Sequence, residues 1–572
     1  MPRFIHIDAS IKSLGGHRWD LAFNIAKAAA DQGWDTTVVT NSEFSSSLKN
    51  MANFPEITVL PTLHCPESWR FSNNDMGGIR WEVTPSGYPS FTLNPSKFIG
   101  ILSGFIKEPK IMTTRNAVKS TKQTFLDFLE VQRLEEGDIL FFGTACELDL
   151  LCYTEALKEY SGAVRWNTAL YFHFGVFPSF KSSKLVPPSI RQDVISSMLK
   201  RSFKSIDSSR VKLLTTTPQL AEQLTILSGY SCEHLQYPVN QSFFETNNAE
   251  VLKKPNKNID KFHIALAGGF RDEQGSGSAA DTLSSVFSKP SLNEIINISM
   301  MVDDNFAKKK IVTSAGIFPA TDVDALTLKH FPLSRDEYFS WLHDADACLF
   351  LYQAQDYANR VSGVFLESMA LGKPVIVPSS SWMGAYLDLL SKKYFVDIIE
   401  QAKLLPLKKN AKEAISEWKL EFDIPITGQL IFIFEHDVEF KNETPNLSIR
   451  PQESSTESHY SLRRISEKQL ICITKPLCVE SKVLITLSNG TNESLPLTGM
   501  LKFDWVQSKD RIPIGSSGLV LNDKEDLTLM LEELIYFKSH YQRSAQIAAS
   551  NIAEHHHPRV FFSSLVDTCI YE

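Results

Sequence analysis

Short apolar runs alternate with amphipathic stretches along the first half of the chain. The run RFIHID at residues 3–8 is followed by a glycine-containing breaker and then by LAFNIAKAAADQG. In that segment Leu21, Ile25 and Ala28 recur at helical spacing, and the β-branched segment DTTVVT predicts the next strand. Further apolar runs follow at GDILFFGTA, WNTALYFHFG and VKLLTTT. Strands that alternate with helices in this way predict a parallel sheet covered by helices.

The same alternation restarts after residues 246–261, a polar stretch rich in Asn and Lys that we interpret as a linker. Apolar strand candidates FHIALAGGF, DACLFLY and KPVIVP are separated by helix candidates such as DEYFSWLHDA and GVFLESMALG. The chain therefore predicts an α/β fold of two Rossmann-like domains facing a cleft. The first domain covers residues 1–245, and the second begins with residues 262–415.

The pattern changes near residue 420, where short strands are separated by polar turns without helical periodicity. The segments QLIFIFEHDVEF, QLICITKPLC and KVLITLSNGTN predict an antiparallel β-domain inserted at residues 420–507. The strand–helix pattern resumes in SSGLVLNDKEDLTLMLEELIYF, so residues 508–572 are expected to complete the second α/β domain. Aromatic residues of the insertion either fill its core or stack on sugars: Phe432, Phe434, Phe440 and Tyr460.

Length, charge and cysteine content narrow the class of protein. A chain of 572 residues exceeds a single hydrophobic core, and its net charge of -8 disfavours a general nucleic-acid-binding role. The 8 cysteines are too sparse for a disulfide framework and include no Cys-x-x-Cys pair, which indicates thiols of a reducing compartment. The N-terminus lacks the apolar core of a secretory signal, and no apolar run is long enough to span a bilayer. We therefore expect a cytoplasmic protein.

Two polar segments admit more than one interpretation. Lys and Arg outnumber Asp at residues 181–212, which indicates either a solvated helical face or a patch for a membrane surface or an anionic substrate. The three histidines at 555–557 follow one another directly, so they cannot share one helical face. We interpret them as surface residues rather than metal ligands.

Glycine-rich turns that follow predicted strands are the first candidates for ligand binding. Gly15 and Gly16 lie between the first strand and the first helix, where free amides favour an anion, although a simple tight corner explains the same glycines. Gly268 and Gly269 end the first strand of the second domain, and Arg271 follows them. An arginine in that position can present a cation to phosphate at the carboxyl edge of a sheet, or it is an ordinary surface residue.

The segment DYANRVSGVFLESMALGKPVIVP, residues 356–378, contains the highest density of candidate side chains. Ser362 and Gly363 precede an apolar helical run, so their amides and hydroxyl can bind a diphosphate at a helix N-terminus. Arg360 lies just before this turn and can neutralise the same charge. Glu367 follows inside the helix, where its carboxylate can accept both hydroxyls of a ribose; an exposed helical glutamate is the simpler interpretation.

This segment resembles the signature of retaining nucleotide-sugar glycosyltransferases of the type-B fold, the large glycosyltransferase family four. The stretches GGHRWDLAFNIAKAAADQGWDTTVVT, LAGGFRDE and SSGLVLNDKEDLTLMLEEL agree with it in order. The resemblance covers roughly residues 1–50, 205–400 and 510–572. It implies a GT-B enzyme that binds a nucleotide-sugar and transfers the sugar with retention of anomeric configuration, without a metal or other cofactor.

The resemblance also assigns roles to individual residues. It implies that the donor's phosphates contact three elements. These are the glycine turn of Gly15 and Gly16, the arginine Arg271, and the amide loop formed by Ser362, Gly363 and Val364. Glu367 matches the glutamate that binds the donor ribose. His173, at the end of TALYFHFG, matches the histidine near the transferred sugar, or it is an interior histidine.

Two positions depart from the family pattern. The first of two glutamates that the family spaces eight positions apart is Asn359 here, and Ser276 stands where a phosphate-binding lysine is common. We expect Arg360 to replace that lysine, and we therefore include it with Arg271 and His173 among the catalytic candidates.

The resulting expectation is a glycosyltransferase of surface polysaccharide biosynthesis that acts on a glycan or lipid-linked glycan. Peripheral membrane contact would occur through residues 181–212. Two alternatives remain at this stage: a catalytically silent scaffold that binds glycan, and a sugar epimerase of the same fold.

Overall fold

The computed structural model describes two compact units. Unit 1 consists of residues 1–247, 358–363 and 552–572, and unit 2 of residues 248–357 and 364–551. The residues whose placement is described are 2–14, 17–45, 55–63, 79–83, 89–93, 114–173, 200, 202, 210–245, 261–268, 276–302, 304–330, 333–354, 356–401, 405–406, 417–423, 428–436, 446–451, 458–466, 469–474, 482–488, 499–507, 511–522 and 526–570.

The apolar runs of the two α/β parts all form strands, and further strands and helices lie between them. The strands are β1 (Arg3–Asp8), β2 (Asp35–Asn41), β3 (Ile57–Leu63), β4 (Ile79–Val83), β5 (Pro89–Leu93), β6 (Ile139–Ala145), β7 (Asn167–Phe172), β8 (Val211–Thr215), β9 (Cys232–His234), β10 (Phe262–Leu266), β11 (Ile296–Val302), β12 (Lys310–Thr313), β13 (Gly316–Pro319), β14 (Leu326–His330), β15 (Ala347–Leu349), β16 (Val375–Pro378), β17 (Leu405–Pro406), β18 (Glu417–Asp423), β19 (Gly428–His436), β20 (Asn446–Pro451), β21 (Ser458–Ser461), β22 (Arg463–Ser466), β23 (Gln469–Ile473), β24 (Lys482–Ser488), β25 (Gly499–Gln507) and β26 (Gly518–Leu521). The helices are α1 (His17–Asp31), α2 (Thr114–Gln132), α3 (Glu147–Glu159), α4 (Pro218–Ser228), α5 (Ser276–Phe287), α6 (Pro290–Ile295), α7 (Asp304–Ala307), α8 (Arg335–Asp344), α9 (Gly363–Ala370), α10 (Trp382–Gln401), α11 (Leu527–Tyr536), α12 (Lys538–His556) and α13 (Pro558–Ile570).

Unit 1 is built on a seven-stranded sheet in the order β3-β2-β1-β6-β7-β8-β9. All of its strand pairs are parallel. Alternate residues of β1 serve opposite faces, as the two-residue period of a strand requires. Ile5 and Ile7 join a core that includes residues of α2 and α3, whereas Phe4 packs edge-to-face against Phe562 of α13.

Unit 2 contains a six-stranded sheet in the order β14-β11-β10-β15-β16-β26. Its strand pairs are also parallel. The last strand, β26, comes from beyond the β-rich segment and pairs with β16, so the insertion interrupts this sheet in sequence. The expectation of two Rossmann-like α/β domains is thereby confirmed at the level of the two sheets.

The inserted segment forms two antiparallel sheets, as its turn-rich pattern predicts. One has the order β17-β25-β19-β23-β22 and the other the order β18-β24-β20-β21. Phe432 and Phe434 of β19 are completely buried, so of the two alternatives the core role is confirmed for these residues. Phe440 and the side chain of Tyr460 lie outside the described residues.

Helix α8 begins with a capping box that the sequence SRDE encodes. The Ser334 hydroxyl accepts a hydrogen bond from the Glu337 amide, and the Glu337 carboxylate accepts one from the Ser334 amide at 2.9 Å. The Ser334 hydroxyl also donates to the Glu337 carboxylate at 2.6 Å, and this bond, followed by the one from the Ser334 amide, lowers the pKa of Glu337 below its ordinary value. The first turn of α8 is therefore fixed in place.

The C-terminal residues 552–572 belong to unit 1, whereas the sequence pattern groups them with the second α/β domain. Phe561 packs against Phe141 and Phe562 against Phe4, with ring centroids 5.9 and 5.0 Å apart. These apolar side chains cover one face of the unit 1 sheet. The local helix pattern alone does not specify which sheet the helix covers.

One of the three adjacent histidines is not at the surface, which corrects the sequence interpretation. His555 is exposed, but the side chain of His556 is only 2% exposed, and its Nδ1 lies 2.6 Å from the Tyr237 carbonyl oxygen. Burial lowers the pKa of His556 to about 4, so the buried ring is neutral.

We expect His556 to make the protein less stable as the pH falls from about 6.5 to 4. In this range the unfolded chain binds a proton at His556 and the folded chain does not, so acidification favours unfolding. The loss is at most about 3 to 4 kcal/mol, since one pKa unit corresponds to about 1.4 kcal/mol. Thermal unfolding of H556Q across this range should show a flatter pH dependence than the parent, and the exposed-neighbour control H555Q should not. Equal slopes for all three proteins would contradict the prediction.

Candidate functional site

The unit 2 sheet reverses its strand order between β10 and β15. The chain proceeds from β10 outward to β11 and β14 and then returns to place β15 on the other side of β10. In open parallel sheets, ligands bind outside the carboxyl ends of the two strands at such a reversal. Gly268 follows β10 there, and Tyr352 follows β15. The loop after β15 then leads to α9.

Gly268 is in close contact with the Tyr352 ring. Its φ is +127°, and a Cβ at this position would lie 2.6 Å from Tyr352 Cε1. Both the backbone conformation and the space require glycine. Tyr352 is 4% exposed, and its ring lies 4.5 Å from that of Tyr357. The first glycine of the predicted LAGGF turn is therefore used to bring the strand end close to a packed aromatic pair.

The predicted amide loop coincides with the beginning of α9. Ser362 is 4% exposed and directly precedes Gly363, the first residue of the helix. The first amides of an α-helix have no partner within the helix, and the helix dipole places partial positive charge at that end. This arrangement can hold an anion at Gly363 and Val364.

The residues of α9 divide between a buried and a partly exposed side. Phe365 is completely buried, and its ring contacts Phe350 and Trp382 with centroids 6.0 and 5.9 Å away. Gly363, Val364 and Glu367 are all partly exposed. Because positions i and i+4 of a helix lie on one face, Glu367 lies one turn beyond Gly363 on the accessible side.

The Glu367 carboxylate is held by a tyrosine from another helix. The Tyr338 hydroxyl, from α8, donates to Glu367 Oε2 at 2.7 Å. Burial, and then the adjacent Glu367 carboxylate, raise the pKa of Tyr338 well above its ordinary value. Sequence analysis missed this contact because the two residues are 29 positions apart and no periodicity links them.

Arg360 lies in the loop immediately before α9, two positions from Ser362, and is partly exposed. The carbonyl oxygen of the preceding residue, Asn359, accepts a hydrogen bond from the Thr217 hydroxyl at 2.9 Å. Thr217 also caps α4 by accepting from the Leu220 amide. Asn359 is thus hydrogen-bonded to Thr217 through its backbone carbonyl group.

Several predicted site residues lie outside the described residues, and their assignment stays a prediction. They are Gly15, Gly16 and Arg271, together with the Ser276 side chain and most of the basic segment 181–212.

His173 follows β7 in unit 1 and is an interior residue, 6% exposed. Its ring contacts those of Tyr171 and Tyr237 edge-on, with centroids 4.8 and 5.5 Å away. The interior position is the alternative that the sequence left open, and a role beside a transferred sugar stays a prediction.

A polar cluster that sequence analysis missed lies where the unit 1 sheet reverses, between β1 and β6. Asp8 ends β1, and its carboxylate accepts from the Ser10 amide and the Thr144 hydroxyl, each at 2.8 Å. The Asp149 carboxylate accepts from the Cys146 amide at 2.9 Å. Burial raises the pKa of Asp8 above its ordinary value and that of Asp149 to about 6. The position of Asp8 at the end of the first strand was the available signal.

The described part of the chain contains neither a metal-binding cluster nor a membrane-spanning helix. No set of three or more His, Cys, Asp or Glu side chains there is arranged to hold a metal ion. No helix within the same residues combines the length and apolar character needed to cross a membrane.

No protein-family model matches this chain, and no curated protein matches it. Among solved structures, it is similar to HepE from Anabaena in complex with UDP-glucose, with 9% identity, a TM-score of 0.47 and 100% of each chain covered. It is also similar to sucrose-phosphate synthase from Thermosynechococcus elongatus, with 9% identity, a TM-score of 0.44 and 99% of this chain and 97% of that chain covered. The N-terminal domain of trehalose-6-phosphate phosphatase from Candida albicans is 14% identical, with a TM-score of 0.43 and 68% of this chain and 85% of that chain covered.

Proposed function

We propose that this protein is a retaining glycosyltransferase that moves a sugar from a nucleoside-diphosphate donor to a hydroxyl group of a glycan. The observation that carries the proposal is the arrangement of α9, in which the helix N-terminus and the Glu367 carboxylate share one accessible side. The spacing of one helical turn suits a ligand with a phosphate at one end and a ribose nearby. The sequence resemblance to family four supports the same assignment.

In the proposed mechanism the chain stabilises the leaving diphosphate. The amides of Gly363 and Val364, the Ser362 hydroxyl and the Arg360 guanidinium supply positive charge and hydrogen bonds where negative charge develops as the sugar–phosphate bond breaks. The acceptor hydroxyl attacks the anomeric carbon on the face that the diphosphate leaves, and its proton passes to the departing phosphate. This mechanism requires no metal, cofactor or enzyme nucleophile. Arg271 and His173 complete the proposed set beside the phosphates and the sugar.

We propose the acceptor only as a chemical class. We infer a glycan or lipid-linked glycan acceptor, and a role in surface polysaccharide biosynthesis at the inner face of a membrane, with residues 181–212 as the membrane contact. These assignments rest on the family resemblance and on the charge of that segment.

A donor screen tests the proposed function directly. We expect at least one of the UDP-, GDP-, ADP- or dTDP-linked sugars to raise the unfolding temperature, since a ligand that binds the folded state stabilises it by mass action. Replacing Glu367 with alanine should remove this shift, whereas replacing Glu532, an exposed helical glutamate, should not. Nucleoside diphosphate should be released faster when a glycan acceptor is added. A protein stabilised by none of these donors, or an E367A variant with full donor binding and turnover, would contradict the proposal.

A further inference from the structure

The hydrogen bond between Tyr338 and Glu367 joins two helices at the proposed donor site. Tyr338 belongs to α8, which precedes β15, and Glu367 belongs to α9, which follows it. The 2.7 Å distance is that of a strong hydrogen bond to a charged acceptor. Both side chains are partly buried, so water competes for the bond less than at an exposed site.

The direction of this bond is fixed by chemistry. Burial and the carboxylate itself keep the Tyr338 hydroxyl protonated, because both raise its pKa well above the ordinary value. The hydroxyl therefore donates, and the carboxylate accepts through Oε2. A carboxylate that accepts this hydrogen bond cannot rotate freely about its last torsion.

The Tyr338 ring packs against the core of unit 2. Its ring lies 6.0 Å from that of Trp341, one turn further along α8. Trp341 is 2% exposed, and its indole N–H donates to the Ser299 hydroxyl of β11 at 2.7 Å. The Ser299 hydroxyl is also 2.7 Å from His263 Nε2 of β10. Tyr338 thus packs against Trp341, which is hydrogen-bonded to a central strand of the sheet.

We propose that Tyr338 is a positioning residue that fixes the Glu367 carboxylate for the two hydroxyls of a ribose, so that the site selects ribonucleoside over 2′-deoxyribonucleoside diphosphates. This inference rests on the proposed function and adds to it a positioning residue. A fixed carboxylate accepts two neighbouring hydroxyls in one geometry, and a ligand that lacks one of them leaves an acceptor without its donor. Tyr338 acts through Glu367 and does not contact the reacting atoms.

The test compares ribose and deoxyribose ligands in matched variants. Dissociation constants of UDP, GDP and ADP and of their 2′-deoxy forms are measured by calorimetry for the parent protein, Y338F, E367Q and Y536F. Tyr536 is a 66% exposed tyrosine, so Y536F also removes one hydroxyl but is distant in sequence from the site. We expect the parent to prefer the tightest-binding ribonucleotide over its deoxy form by about 10-fold or more.

Y338F should lower that ribose preference by about 3- to 10-fold, with a smaller effect on the deoxy ligand. Y536F should keep the parental ratio, and E367Q should lose most of it. If Tyr338 has only a structural role, Y338F should weaken binding of the ribo and deoxy ligands equally, which would overturn the inference. If Y338F keeps the parental ribose preference while E367Q loses it, the inference is overturned but the proposed function is not. A parent protein that binds ribo and deoxy forms equally would also overturn it. Failure of the parent to bind any of the diphosphates would instead contradict the proposed function, and this inference with it.

Discussion

Replacing Arg360 with alanine is expected to lower kcat/KM for sugar transfer by about 100- to 1,000-fold, the effect typical of removing one preorganised group that stabilises developing negative charge. Arg360 lies two positions before Ser362 and is partly exposed, so it can reach a diphosphate at the start of α9 without first leaving a packed core. In the proposed mechanism Arg360 supplies positive charge to the leaving diphosphate. The loss should appear mainly in kcat, since the charge to be stabilised grows as the bond breaks.

Two controls separate this role from a general charge effect. Arg360→Lys keeps the charge but loses the forked pair of donors, so its activity should fall between those of the parent and Arg360→Ala. Arg543→Ala removes an exposed arginine from α12 and should leave kcat/KM unchanged. Steady-state rates with saturating acceptor, together with unfolding temperatures of the ligand-free proteins, supply the measurement. If Arg360→Ala kept more than half of the parental kcat/KM, Arg360 would not be the cation that the mechanism requires.

The central strands of the parallel sheets were predictable from sequence because they are buried on both faces. Such strands appear as continuous apolar runs, and every residue of β6 except Thr144 is buried. The beginning of α9 was predictable for a similar reason, since a small polar residue and a glycine stand directly before an apolar helical run. In both cases the physical signal lies within a few neighbouring residues.

Contacts between distant segments were not predictable in this way. Tyr338 and Glu367 each occupy an ordinary helical position, and only the packing of α8 and α9 in unit 2 brings their side chains together. The same holds for His556, whose partner Tyr237 is 319 positions earlier. A local pattern states which face of a helix is apolar, but it does not state which polar group on another element the helix will contact.

His6 and Gly143 illustrate this limit in the core of unit 1. The sequence shows a histidine within an apolar strand and, far along the chain, a glycine within another. In the structure His6 is 0% exposed, and its ring lies beside Gly143, where the missing side chain leaves room for it. Burial lowers the pKa of His6 to about 3, so the ring is neutral. Neither ring nitrogen has a hydrogen-bond partner among the residues that the structure describes.

Replacing Gly143 with alanine is therefore expected to lower the free energy of unfolding by about 2 to 4 kcal/mol. This is at the upper end of the range for added groups in a packed core. The added Cβ would lie 2.1 Å from His6 Nε2 and 2.4 Å from Cε1, far inside normal contact distance. The ring cannot move aside easily, because Phe4 and Phe141 contact it edge-on. Gly162→Ala is the matched control: its Cβ would also meet an aromatic ring, at 2.6 Å from Tyr160 Cε1, but Gly162 is exposed and that ring is partly exposed. It should cost less than about 1 kcal/mol.

The double variant H6A/G143A tests whether the cost of Gly143→Ala arises from the clash between the new Cβ and the His6 ring. His6→Ala alone removes a buried ring and leaves a cavity, which costs about 2 to 4 kcal/mol, offset in part by the loss of two unsatisfied polar atoms. In the double variant the alanine at 143 enters the space that the ring has left, so the two penalties should not add. Denaturant unfolding of all four proteins should give a favourable coupling free energy of about 1 to 3 kcal/mol. If the free-energy losses of the two single variants simply add, the cost of Gly143→Ala arises from the backbone of β6 and not from the histidine. The absence of a side chain at position 143 would then need a different explanation.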